Sequence, residues 1–222
     1  QFSVLFLTTL IGAGQGLFVA LVAVEAGVLF EFLPSPHRPW FYFYGSLIAF
    51  LFTGAGLLAS FFHLGRPERA WRSAARWRTS WLSREVIALP AFMGTTLLYA
   101  MVHFLHIGEA LATLPSGAAI DATLVVGLAG VVLAVALFVC TGMIYACLPF
   151  LREWATPLTV VNFMLLGCAS GFALAAAYAT SAAPALVRFF AAGALILTLL
   201  GLAGRGTALV RNARLRPKST LQ

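Results

Sequence analysis

Charge is what this sequence has least of. Its 222 residues include 14 Lys and Arg but only seven Asp and Glu, so charged side chains make up 9% of the chain. A soluble domain carries about 25%, and a chain this poor in charge cannot cover a globular surface with water-compatible groups. Long apolar runs stand in place of the missing charge: 61% of the residues are hydrophobic and the mean hydropathy is +0.96. Runs of about 18 or more apolar residues read as membrane-spanning helices. The net charge of +7 then reflects the basic bias of membrane-protein loops rather than a nucleic-acid surface.

Cysteine is scarce as well. Cys140, Cys147 and Cys168 all lie in apolar segments and no Cys-x-x-Cys occurs. They are expected to be buried thiols acting as small hydrophobes, and an iron–sulfur cluster, which needs a spaced cysteine set, is not expected within this chain. A b-type haem lacks ligands too. His103 and His106 are three apart on one stretch and cannot take opposite sides of one iron, while His63 belongs near the other membrane face. No internal repeat is visible. The first residue is Gln rather than Met, as expected where a start has been removed or lies upstream.

Six runs, at about 3–30, 40–63, 85–107, 122–148, 157–180 and 184–202, have the length to cross a bilayer. In hydrocarbon each backbone polar group must be paired within its own segment, so helices are expected. The expected fold is therefore all-α: one polytopic transmembrane bundle over 1–222, with an interfacial basic segment at 64–84 and a basic tail at 205–222. Six crossings put the N-terminus, the 64–84 and 149–156 connections and the tail on one side. That side carries Arg66, Arg69, Arg72, Arg76, Arg78, Arg84, Arg152, Arg205, Arg211, Arg214, Arg216 and Lys218, against Arg38 and Arg188 near the other. The positive-inside rule makes the richer side cytoplasmic in a bacterial inner membrane. Trp40, Tyr42 and Tyr44 form an aromatic fringe at the opposite face.

The segment "SFFHLGRPERAWRSAARWRTSWLSREV" breaks the apolar pattern. Gly65 and Pro67 stop the second span just after His63. The imidazole is then either an interfacial group in water or a donor to a ligand entering from the lipid. Ser83 reads as an N-cap, which makes Glu85 an early-turn acid favoured by the helix dipole. Glu85 also sits at the depth of His63, and a donor beside a carboxylate suits a molecule that exchanges protons with electrons, as lipid quinones do. Arg69, Arg72 and Arg76 fall on one helical face, either an amphipathic helix in the interface or, with Arg78, a docking surface for a cytoplasmic partner. Gln15, between the glycines of "IGAGQGLF", suits an interhelical hydrogen bond or a ligand contact. Glu25, an acid within "LVAVEAGVLF", is a functional candidate by its placement, although it lies close enough to the outer face to reach water.

The loop resembles the membrane anchor subunits of dimethyl sulfoxide reductase-type molybdoenzymes. It carries His63-Leu64-Gly65-Arg66-Pro67-Glu68-Arg69-Ala70 and Ser80-Trp81-Leu82-Ser83-Arg84-Glu85-Val86 where that family has His-Leu-Gly-x-Pro-x-Arg-Ala and Ser-x-Leu-Ser-x-Glu-(Ile/Val). The opening "FSVLFLTTLIGAGQGLF" fits the family's first span, and "CTGMIYACLPFLREWATPLTVVNFMLLG" and "RNARLRPKSTLQ" resemble the sulfite-oxidising branch. The resemblance implies a complex in which a molybdopterin subunit handles substrate, electrons pass through an iron–sulfur subunit, and this anchor exchanges them with ubiquinone or menaquinone. It implies quinone contacts at His63 and Glu85, with Arg66 and Gln15 nearby, and no substrate catalysis in the anchor itself. It also implies eight spans where six are legible. The alternatives at this stage are an anchor running quinol to substrate, a purely structural anchor, and a small proton-coupled transporter built on Glu25 and the histidines.

Overall fold

The computed structural model describes residues 2–36, 38, 40–61, 67–107, 110–113, 119–148 and 150–215. Six long helices account for the six apolar runs: α1 (Phe2–Leu29), α2 (Phe41–Phe61), α3 (Trp81–Phe104), α4 (Ala122–Ala146), α5 (Pro157–Ala182) and α6 (Val187–Ala213). All six are long and apolar enough to cross a membrane. A two-stranded antiparallel ribbon, β1 (Ala110–Thr113) with β2 (Ala119–Asp121), joins α3 to α4 and pairs Ala110 with Asp121 and Thr113 with Ala119. This ribbon is the one departure from the all-α expectation.

α1 is the centre of the bundle. It packs against α2, α4 and α5, while α3 lies on α2 and α4, and α6 lies on α5. Leu17, Phe18, Ala20, Leu21 and Val24 of α1 are fully buried, as in a helix with neighbours all round. Without a hydrophobic drive between helices in lipid, close contact depends on small residues. Gly12 and Gly16 of α1 meet Gly167 and Gly171 of α5: a Cβ on Gly171 would overlap the Gly16 backbone, and one on Gly16 would overlap the Gly167 carbonyl. Gly14, between them, faces α2 at Ala49 and Thr53.

Several helix ends differ from the sequence expectation. Ser80, not Ser83, caps α3: it is extended (φ −116°, ψ 126°) and its Oγ accepts from the Ser83 N–H at 3.4 Å. Arg84 fixes that start by donating to the Trp77 and Arg78 carbonyls at 2.9 and 3.0 Å while lying over the Trp81 ring. The segment Pro67–Arg76 is a 3₁₀ helix rather than an α-helix. At three residues per turn, Arg69 and Arg72 stay in register, but Arg76 is rotated off their row. α6 runs on to Ala213, so Arg205 and Arg211 of the expected tail are helical; Gly201 packs on Leu166 of α5 there. Cys140 is buried, but Cys147 is exposed at the C-cap of α4, where the span has already ended. His106 adopts φ 54° and terminates α3, with the Ile107 N–H bonded back to the Val102 carbonyl at 3.1 Å. Histidine is among the residues that tolerate this left-handed conformation.

The α1–α5 contact should therefore be intolerant of volume. Gly171→Val should sharply lower thermal stability in detergent, whereas Gly94→Ala, at a helical glycine with open space around it, should be neutral or stabilising by about 0.5–1 kcal/mol. Equal melting shifts for the two variants would show that the glycine crossing does not hold the bundle.

Candidate functional site

A cavity of about 500 Å³ opens at the basic end of the bundle. It is walled by the first half of α1, the start of α3, the end of α4, the start of α5 and the end of α6, with Glu153 and Trp154 from the α4–α5 connection at its rim. The antiparallel helix order alone brings these segments to one face.

Of the residues singled out in the sequence, Glu85 and Gln15 both line this cavity. Because α3 starts at Trp81, Glu85 lies in the second turn rather than the first. Its charge is therefore not held by a capping role, and a carboxyl within a span must be matched by a specific donor. That donor is the Thr141 hydroxyl of α4, which reaches Oε1 at 2.5 Å. Gln15 is 2% exposed, and its Nε2 donates to the Ala134 carbonyl of α4 at 2.9 Å. The interhelical bond expected of Gln15 and its place on a ligand-sized cavity thus coexist. His63 and Arg66 lie outside the described residues. Arg69 lies on the 3₁₀ helix, and Arg72, Arg76 and Arg78 are exposed. The sequence reading passed over Thr141 and Asn162 and counted Arg205 only as a residue of the basic tail; all three also line the cavity. Thr141 could have been found only from its pairing with Glu85, and Asn162 only as a lone amide in an apolar run.

A second polar cluster sits at the other end. Glu25 of α1 accepts from the Tyr99 hydroxyl of α3 at 2.7 Å and from the Thr123 hydroxyl of α4 at 2.5 Å. The same Thr123 oxygen lies 2.8 Å from Oδ1 of Asp121, the N-cap of α4, so its single proton is shared between the two carboxylates. His103 brings Nε2 to 3.3 Å from Glu25 Oε1, but that atom is buried without a well-aligned hydrogen bond. Its ring stacks on Tyr42 of α2 at 4.6 Å. Glu25 is therefore half-buried in a three-helix clamp rather than free in water. His103 and His106 have separate tasks, one in this clamp and one at the helix end. Glu85 and His103 are 18 residues apart on α3, as are Thr123 and Thr141 on α4, so the two clusters stand about 27 Å apart along the bundle. That is close to the ~30 Å hydrocarbon thickness. Among the described residues, no three His, Cys, Asp or Glu side chains converge as a metal site.

The clamp predicts non-additive losses. Tyr99→Phe and Thr123→Val should each destabilise by roughly 1 kcal/mol. Glu25→Ala should cost more than either, because it strands the fully buried Tyr99 hydroxyl and leaves Thr123 only its bond to Asp121. A double-mutant cycle on thermal unfolding checks this; strictly additive effects would show that the three groups do not act together.

The family model described as "DMSO reductase anchor subunit (DmsC)" matches residues 1–218. The sulfite dehydrogenase of Allochromatium vinosum has a subunit that is 55% identical over 221 residues, covering 100% of this chain and 68% of that protein. No solved structure matches the chain.

Proposed function

This chain belongs to the DMSO reductase anchor subunit family, and from that premise we propose that it exchanges electrons between an iron–sulfur subunit and the membrane quinone pool. The complex would oxidise sulfite on a cytoplasmic molybdopterin subunit. The observation that carries the quinone reading is Glu85, a hydrogen-bonded carboxyl within a span, on the wall of a cavity of about 500 Å³ shared with Gln15. Small-molecule sites commonly measure about 300–1,000 Å³. A mainly apolar wall with a carboxyl and amides fits the ring and exchangeable protons of a quinone. The sulfite assignment is supported by the name of the 55%-identical relative.

Reduction of one quinone takes two electrons and two protons. Electrons come from the partner; protons must come from groups of this chain. Thr141 holds Oε1 of Glu85, which orients the carboxyl and leaves its second oxygen for proton exchange. His63, which ends the second span in the sequence pattern, is the hydrogen-bond donor to a quinone carbonyl, and Arg66 supplies positive charge beside it. Gln15 borders the head group while its amide stays tied to α4. The Arg69, Arg72, Arg76 and Arg78 segment and the basic end of α6 form the docking face for the iron–sulfur subunit in the cytoplasm. The family's description favours a second reading in direction only: the same site oxidising quinol to feed a reductase.

His63→Ala and Glu85→Gln should lower quinone-linked turnover by about 10²–10⁴-fold, the range for a lost acid–base group. Dye-linked activity of the assembled catalytic subunits should stay at the wild-type level. A wild-type ratio of the two activities in both variants would place the site elsewhere. Reporter fusions in the 64–84 segment should read as cytoplasmic, and an external reading would overturn the docking face.

A further inference from the structure

One polar group at the cavity is not used by the fold. Asn162, near the start of α5, is 6% exposed, and its Oδ1 has no hydrogen-bond partner. The uncharged polar side chains around it on the cavity wall are bonded within the protein. Thr9 donates to the Leu5 carbonyl at 2.6 Å, Thr159 to Trp154 at 2.7 Å and Ser170 to Leu166 at 2.9 Å. Gln15 and Thr141 are spent on Ala134 and Glu85. A buried carbonyl oxygen with no donor opposes folding, so its presence calls for a partner that the chain does not supply. Oδ1 is turned toward α6, where Gly204 leaves room for it and any Cβ would overlap it, so it meets a ligand in the cavity only when the amide turns.

We propose that Asn162 is a head-group positioning residue of the quinone site, bonding the ring oxygen that Glu85 does not serve. This rests on the quinone reading given above. Glu85 and Asn162 come from α3 and α5, helices that approach the cavity from different sides. A carboxamide suits a ligand that changes from acceptor to donor. Quinone plus two electrons and two protons gives quinol, so each ring oxygen turns from a carbonyl into a hydroxyl. Asn162 meets the first with its Nδ2 donor and the second with its Oδ1 acceptor, by turning about one bond and with no proton gained or lost. A phosphate-bearing lipid head group is a poorer occupant, because the two carboxyls of Glu85 and Glu153 outnumber the single cation, Arg205, among the described residues of the same wall.

The test uses the complex purified through this chain, titrated with the fluorescent quinol analogue 2-heptyl-4-hydroxyquinoline N-oxide and assayed with a short-chain quinone. Asn162→Leu should raise the analogue Kd and the quinone KM by roughly 3- to 10-fold, the worth of one hydrogen bond. It should change kcat little and leave dye-linked activity unchanged. Its melting temperature should be unchanged or higher, since an unpaired buried oxygen has been removed; a merely structural amide would give the reverse. A lowered melting temperature with Kd and KM unchanged would overturn the assignment, as would displacement of the analogue by anionic phospholipid alone. If Asn162→Leu does not accumulate, Gly204→Ala decides, because it keeps the amide but pushes it from its place; an unchanged Kd there is again negative. Failure of the quinone reading looks different: the wild-type complex would bind no analogue. Loss of turnover in Glu85→Gln with normal Kd and KM in Asn162→Leu would reject only this inference.

Discussion

The contact of Gly12 and Gly16 with Gly167 and Gly171 determines what the other helices can do. In lipid, apolar side chains gain little by leaving one hydrocarbon surface for another, so backbone-to-backbone approach and interhelical hydrogen bonds must define the bundle. With α5 drawn onto α1, α1 becomes the central helix, and Leu17, Phe18, Ala20, Leu21 and Val24 lose contact with lipid. The same approach sets where side chains stop filling space. At and beyond the glycines, toward the basic end, α1 carries Gln15 and Thr9 and α5 carries Asn162 and Thr159, and the cavity lies among them with α6 closing one side. The site is thus a by-product of the tightest crossing in the fold, and its walls inherit the rigidity of that crossing.

The two polar ends are kept apart by a dry middle. Phe18 makes edge contacts with Phe92 and Tyr99 at 5.5 and 5.2 Å, and Gly130 of α4 gives its ring room. Leu17, Leu21 and Leu137 fill the same level and are fully buried. The hydroxyls at this depth, Thr53 and Thr96, are bonded to carbonyls of their own helices at 2.8 and 2.9 Å. No row of polar side chains joins Glu85 to Glu25 among the described residues. On the proposed reading, protons reaching Glu85 come from the basic face, and the Glu25 clamp serves to tie α1, α3 and α4 at the far end.

Much of this was legible because a span tolerates few polar residues. Each apolar run became a helix; Gln15 and Glu25 were conspicuous where they interrupt those runs, and Glu85 where it opens one. Helix starts were less legible. "SWLS" offers two serines, and both could cap; the choice of Ser80 follows from Arg84 folding back onto Trp81 and two loop carbonyls, which no local pattern announces. α6 was read too short because glycines and an arginine after Leu202 looked like a tail. They are helical because Gly201 and Gly204 are where α5 fits. Asn162 illustrates the remaining limit. As a letter it is one more amide able to bond a neighbouring helix, and only the fold shows that its Oδ1 has no such bond.

The basic residues divide by what they touch. Arg84 and Arg211 are consumed internally: Arg84 holds the start of α3, and Arg211 donates to the Arg152 carbonyl at 3.1 Å, tying the α4–α5 connection to the end of α6. Their charge contributes to the field of the face, but their donors are not offered to a partner. Arg76, Arg78, Arg152, Arg205 and Arg214 are exposed on the same end of the bundle. Exposed cations of this kind add little to stability; on the proposed reading their effect is long-range attraction of an acidic partner surface. Glu153 and Trp154 line the cavity directly beside Arg152. A partner drawn to this face would therefore rest against the rim of the cavity itself, and on the proposed reading that coincidence is what lets an electron carrier outside the membrane lie close to a ring held inside it.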